Sequence, residues 1–132
     1  SENPRPTHCA SQTCPVHVII VGAGEVGWYL AERLASERHD VVVVEHDTTI
    51  GARISEALDV QVVVGNACHP SVLVAAGVDR AGLLAGVTQS DEVNLIACLI
   101  AKQHDVAHTV VRIQAPELRA ESGNAVRTAV GA

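Results

Sequence analysis

The hexapeptide Gly22-Ala23-Gly24-Glu25-Val26-Gly27 constrains this chain more than any other stretch. It follows the β-branched run Val18-Ile19-Ile20-Val21 directly and opens a segment, 25–37, in which Val26, Leu30 and Leu34 recur every four residues. Glu32, Arg33 and Glu37 fall mainly on its other side. That succession predicts a buried strand, a tight glycine turn and an amphipathic helix. In a G-x-G-x-x-G turn the first glycine permits the bend. The second lets the backbone approach a pyrophosphate, and the third lets helix and strand pack closely. The helix start then offers unpaired N–H groups and a positive dipole end to anions.

The same alternation continues along the chain. Strands are predicted at 41–44, 61–64, 83–87 and 109–113. Helices are predicted from Thr48 or Thr49 to about Leu58, from Pro70 until Gly77 closes it, and from a capping-box Thr88-x-x-Asp91 to about Gln103. Pro116 suits the first turn of a last helix toward Thr128. Strands and helices in strict succession imply parallel βαβ units. With right-handed crossovers the economical layout is an α/β, Rossmann-like doubly wound parallel sheet in order 3-2-1-4-5 with helices on both faces.

Residues 1–15, with Pro4, Pro6 and Pro15 among polar side chains, read as a disordered leader or tag-like tail, and 16–132 as one domain. The chain stops at Val130-Gly131-Ala132, where another strand is due, so it is expected to be a piece of something longer. His8, Cys9, Cys14 and His17 are too loosely spaced to favour a metal site. The four cysteines follow no fixed spacing, two of them lie in apolar surroundings where a reduced thiol behaves as a small hydrophobe, and no disulfide framework is expected.

Composition narrows the function. Valine and alanine fill 41 of 132 positions and phenylalanine and methionine are absent, so the core is built from small and β-branched side chains. A net charge of −6 with no Lys/Arg cluster argues against nucleic acid. No apolar run approaches the roughly 20 residues that cross a bilayer, and nothing resembles a signal peptide, so a cytoplasmic location is expected.

Glu45 ends the second predicted strand, 18 residues after Gly27, close to the spacing at which a carboxylate takes hydrogen bonds from an adenosine ribose diol. Without a nearby Arg or Lys to welcome a 2′-phosphate, NAD is favoured over NADP. Gly65-Asn66-Ala67 and Thr88-Gln89-Ser90-Asp91 end the third and fourth strands, at the sheet edge where open α/β folds bind ligands. Asn66 is also a natural turn former and Thr88 a natural helix cap. Arg112, among apolar neighbours, needs an anion, which a phosphate or Asp91 would supply.

These residues carry a resemblance. The segments VIIVGAGEVGWYLAERL, VVVVEHD, VVVGNACHPSVLVAAGV, AGVTQSDEVNLIACLIAK and VVRIQAPEL, within 17–117, are similar to the nucleotide-binding N-lobe of potassium-transport regulators, namely the Trk-system regulatory subunit and the related RCK or KTN domains. The G-N-A-x-x-P-x-x-L-x-x-A-G-V and V-T-x-S-D-E-x-N segments are far more specific than the glycine motif. The resemblance implies a cytosolic subunit that binds NAD(H), or in some relatives ATP, ADP or AMP, and gates a potassium channel or transporter. It implies that Gly22, Gly24, Glu25, Val26 and Gly27 hold phosphates, that Ala23 among them is also cofactor-binding, and that Glu45 holds the ribose. Asn66 and Ala67 would take the adenine side, and Thr88, Gln89 and Arg112 the remaining phosphate or nicotinamide half. Glu45 stands where the family more often has Asp, and in the family a C-lobe usually follows this lobe.

No nucleophile with a base and no paired acid and base emerges, so binding rather than catalysis is expected. The alternative is the isolated cofactor-binding domain of an NAD-dependent dehydrogenase. A redox-sensing repressor would need a helix-turn-helix or basic patch. Finally, Leu95–Ala101 is apolar around the whole helix, which predicts a second covered face and contact between protomers of a homo-oligomer.

Overall fold

The computed structural model describes residues 14–116. The elements are β1 (His17–Val21), α1 (Glu25–Ser36), β2 (Asp40–Glu45), α2 (Thr48–Ala57), β3 (Gln61–Val64), α3 (Pro70–Ala75), a 3₁₀ turn (Val78–Arg80), β4 (Leu83–Gly86), α4 (Asp91–Gln103) and β5 (His108–Val111). All four strand pairings are parallel and the sheet order is β3-β2-β1-β4-β5, as the sequence predicts.

Central β1 is buried along its whole length, which is why its sequence is a continuous apolar run and not an alternating one. Ile19 and Val21 face the layer of α3 and α4, where Leu73, Ala97, Cys98 and Ala101 pack. Val18 and Ile20 face α1 and α2, meeting Ala31 and Ile54, with Trp28 and Leu34 at the edge. Each such side chain withdrawn from water contributes roughly 1.5–3 kcal/mol. Valine and alanine dominate because two helical layers must close on one sheet with little room between.

Several boundaries differ from expectation. The cap of α4 is Ser90, whose hydroxyl accepts from Val93 N at 3.2 Å, rather than Thr88. Thr88 is engaged elsewhere: its hydroxyl bonds Asn94 Oδ1 at 2.8 Å, so the chain turns two residues later. Asp47 caps α2 through Thr49 N and Ile50 N. Gly77, at φ +90°, ends α3 as expected, but the 3₁₀ turn after it carried no sequence signal. Cys68 and Cys98 are free thiols, whereas Cys14 is disulfide-bonded, a bridge that the cysteine spacing did not signal. Residues 1–13 of the leader, and the last helix beyond Pro116, lie outside the described residues. No described helix is long and apolar enough to cross a membrane.

Helix α4 buries Ala97, Cys98, Ile100 and Ala101 against the sheet. Ile96 and Leu99, on its other side, stay 40% and 46% exposed, so the fold's described residues leave that apolar face largely open.

Candidate functional site

The direction in which successive strands are added across the sheet reverses between β1 and β4. After β1 the connections run through α1 and α2 on one face, and after β3 through α3 and α4 on the other. At such a switch point the strand ends diverge and leave a crevice. A cavity of about 730 Å³ lies there, within the size range of small-ligand sites.

The glycine turn forms one wall. Gly22 has φ +108°, and a Cβ on it would stand 2.9 Å from Thr88 Cγ2, so its bareness both permits the bend and admits the β4–α4 turn. Gly22 N donates to Val44 O at 2.8 Å, tying the turn to β2. A Cβ on Gly24 would meet nothing within 4 Å, although Gly24 lines the cavity: the space beside this backbone is open. Gly27 differs. It is buried, does not line the cavity, and a Cβ there would overlap the carbonyl oxygen of Gly22. It sits in close helix packing, as the third glycine of such a turn does, and of the residues expected to hold phosphates it alone stands back from the cavity.

Helix α1 begins here without a side-chain cap, whereas α2 and α4 are capped by Asp47 and Ser90. Its first N–H groups and positive dipole end therefore border the cavity. Arg112 lines the opposite side, and among the described residues its guanidinium forms no salt bridge. Asp91 does not meet it: the Asp91 carboxylate accepts from Gln114 N and Ala115 N, each at 2.9 Å. Among the described residues, Asp91 is thereby set aside as the partner of Arg112.

Glu45, buried at the end of β2, accepts from Ala23 N at 2.8 Å and Asp47 N at 3.0 Å, and its backbone carbonyl receives Gly65 N at 3.0 Å. It therefore braces three loops of the rim. A carboxylate has about four acceptor sites, so capacity for a ribose diol is left. Asn66 Oδ1 accepts Cys68 N at 2.8 Å, which fixes the turn after β3 and leaves the amide nitrogen available. Ala67 is buried beside it, and Gln89 lies exposed at the rim.

Eleven of the twelve residues singled out from sequence thus line one cavity, Gly27 excepted. Ile50 and Val93 also line it without having been named from sequence, as do His46 beside Glu45, and Gly65 and Ser90 of the two turns at the sheet edge. Asn94 is the main support that sequence reasoning missed. Fully buried, it accepts from Thr88 N at 2.9 Å and donates to Thr88 O at 3.0 Å and Arg112 O at 2.8 Å, locking two walls together. The signal was present as the last residue of V-T-x-S-D-E-x-N, a polar side chain otherwise misplaced in an apolar helix.

The family model of the TrkA-N domain matches residues 18–126. The chain belongs to the TrkA-N domain family. A relative at 45% identity over 102 residues is the Trk system potassium uptake protein TrkA homolog of Archaeoglobus fulgidus; the match covers 77% of this chain and 23% of that one. This TrkA-N chain thus spans about a quarter of the length of the curated relatives it first matches. Among solved structures, the TrkA-N domain of the inner membrane protein ybaL from Escherichia coli superposes with TM-score 0.73 at 22% identity, covering 83% of this chain and 82% of that one. The GsuK channel bound to NAD superposes with TM-score 0.72 at 23% identity, covering 88% of this chain and 20% of the channel. At these identities the structural likeness speaks for the fold of the TrkA-N domain and no further.

Proposed function

We propose that this TrkA-N domain is the nucleotide-sensing part of a potassium uptake system, binding NAD(H) in the cavity between β1 and β4. ATP, ADP or AMP are the ligands to set against it. The observation that carries the reading is the convergence, on one cavity, of an uncapped helix start, an open backbone at Gly24 and the guanidinium of Arg112, which forms no salt bridge among the described residues. Those are the donors a pyrophosphate takes up, and Glu45 stands where the adenosine ribose would lie. The name of the relatives, Trk system potassium uptake protein, supports potassium transport as the setting, and the NAD-bound channel of the same fold supports NAD as a ligand to test.

Acting on a membrane channel or transporter subunit from the cytoplasmic side, the domain would work by binding alone. The nucleotide biases two conformations by as much as its affinity for them differs. The open face of α4, with Ile96 and Leu99, is the proposed contact between protomers of a homo-oligomer. An isolated dehydrogenase cofactor domain shares the fold, but the TrkA-N match favours the transport reading.

Calorimetric titration of the chain with NADH, ATP, ADP and AMP, before and after Glu45→Ala, tests this. Saturable NADH binding weakened by the substitution is expected. An absence of heat with every nucleotide, or binding indifferent to Glu45, would overturn the proposal.

A further inference from the structure

Resting on the nucleotide-binding reading above, we infer that Glu25 makes the cavity a charge filter that admits dinucleotides, whose phosphates are all internal, and disfavours adenine nucleotides ending in a terminal phosphate. The charged side chains that line the cavity, apart from the titratable His46, are Glu25, Glu45 and Arg112. Glu45 is buried and its two oxygens are held by Ala23 N and Asp47 N, so backbone donors disperse its charge. Glu25 is different. It is exposed, opens α1, and forms no salt bridge among the described residues.

Glu25 also stands at a junction. A second, more open concavity of about 450 Å³ lies along α1 and α2, and it shares Ala23, Gly24, Glu25 and Ile50 with the first. Its further charged side chains are Glu32 and Arg53, which cancel, so Glu25 leaves this space net acidic. Glu25 thus sets an uncompensated carboxylate beside the helix start, where the phosphates of a bound nucleotide would lie.

The charges of the candidate ligands separate cleanly on this ground. Each phosphate of a dinucleotide is a diester-like unit with one negative charge. The α1 terminus, equivalent to roughly half a positive charge, together with Arg112 nearly offsets that pair. A terminal phosphate carries about −1.5 to −2 at neutral pH, and no further cationic side chain among the described lining residues, apart from the titratable His46, is left to balance it. The backbone N–H of Glu25 attracts phosphate while its side chain limits how much negative charge is tolerated.

The experiment is calorimetric titration of the whole chain with NADH, ADP and ATP in EDTA, so that no divalent cation masks the phosphates, for the natural protein and Glu25→Gln. The natural chain should prefer NADH. In Glu25→Gln the ratio of the ATP to the NADH dissociation constant should fall on the order of tenfold, the effect of removing one like charge at a partly exposed site. A second readout is independent of the variant. Raising salt to about 0.5 M should shrink the natural chain's ratio, because screening weakens exposed charges first. NADH binding with an ATP ratio unmoved by both Glu25→Gln and salt would overturn the filter and leave nucleotide binding standing. Failure of every nucleotide to bind would overturn both.

Discussion

Gly24 and Gly27 belong to one motif, yet their surroundings predict opposite consequences for the same substitution. Gly24 has φ −77° and ψ −159°, backbone that alanine adopts freely, and its Cβ would enter open space. Gly24→Ala gains about 0.4–1 kcal/mol by restricting the unfolded chain. It loses about 0.5 kcal/mol because alanine is a poor helix N-cap. The two nearly cancel, so the melting temperature should move by no more than about 2 °C. The new methyl, however, occupies space beside the N–H groups offered to a pyrophosphate. Loss of one charge-assisted hydrogen bond, worth about 1.5–3 kcal/mol, weakens NADH binding at least tenfold.

Gly27→Ala places its methyl through the carbonyl oxygen of Gly22, with the carbonyl carbon at 2.8 Å and Val87 Cγ2 at 3.4 Å. Backbone must move, at a cost of about 3 kcal/mol and thus a loss of roughly 10 °C in melting temperature. Thermal denaturation and NADH calorimetry on both variants decide the matter. A Gly24→Ala chain that binds NADH within about threefold of the natural protein would refute the phosphate placement. A Gly27→Ala chain with unaltered melting would refute the packing argument.

Three further outcomes follow from the site and core. Arg112→Ala, which breaks no salt bridge among the described residues, should weaken NADH binding about tenfold while shifting the melting temperature little; calorimetry and thermal denaturation read both. Asn94→Ala leaves Thr88 N, Thr88 O and Arg112 O without their partner and should destabilise the fold by about 2–4 kcal/mol in chemical denaturation. The Cys98 thiol is pushed up to about 11 by burial, so it should resist iodoacetamide at pH 8 while Cys68 reacts. Because its folded pKa is raised, its contribution to stability is present below pH 9 and lost as pH climbs from about 9 through about 11, read as a falling denaturation midpoint.

Strand order and the cavity's position were legible because they depend on periodicity and chain direction, which short apolar runs and glycine turns encode locally. The motif residues that shape backbone, Gly22 and Gly24, were equally legible, since no side chain fits their roles. What escaped was what depends on partners distant in sequence. Thr88 looked like a cap until Asn94, six residues on, claimed its hydroxyl. Arg112 left Asp91 and phosphate as open alternatives until Gln114 N and Ala115 N were seen to occupy the carboxylate. Glu45 read as a ribose acceptor, yet its bonds to Ala23 N and Asp47 N make it a brace of the rim as well. Helix α4 was rightly read as apolar all round, but only coordinates divide buried Ala97 and Ala101 from exposed Ile96 and Leu99.

The central claim is that a nucleotide sits against the α1 terminus at the β1–β4 switch point, and amide chemical shifts under NADH titration test it most directly. The account predicts saturable shifts concentrated at Gly24, Glu25, Val26, Asn66, Thr88 and Arg112, with the amides of Asp79 and His104, at the far end of the sheet, unmoved. Shifts that scatter over the surface, or that gather on α4 and spare the glycine turn, would contradict it.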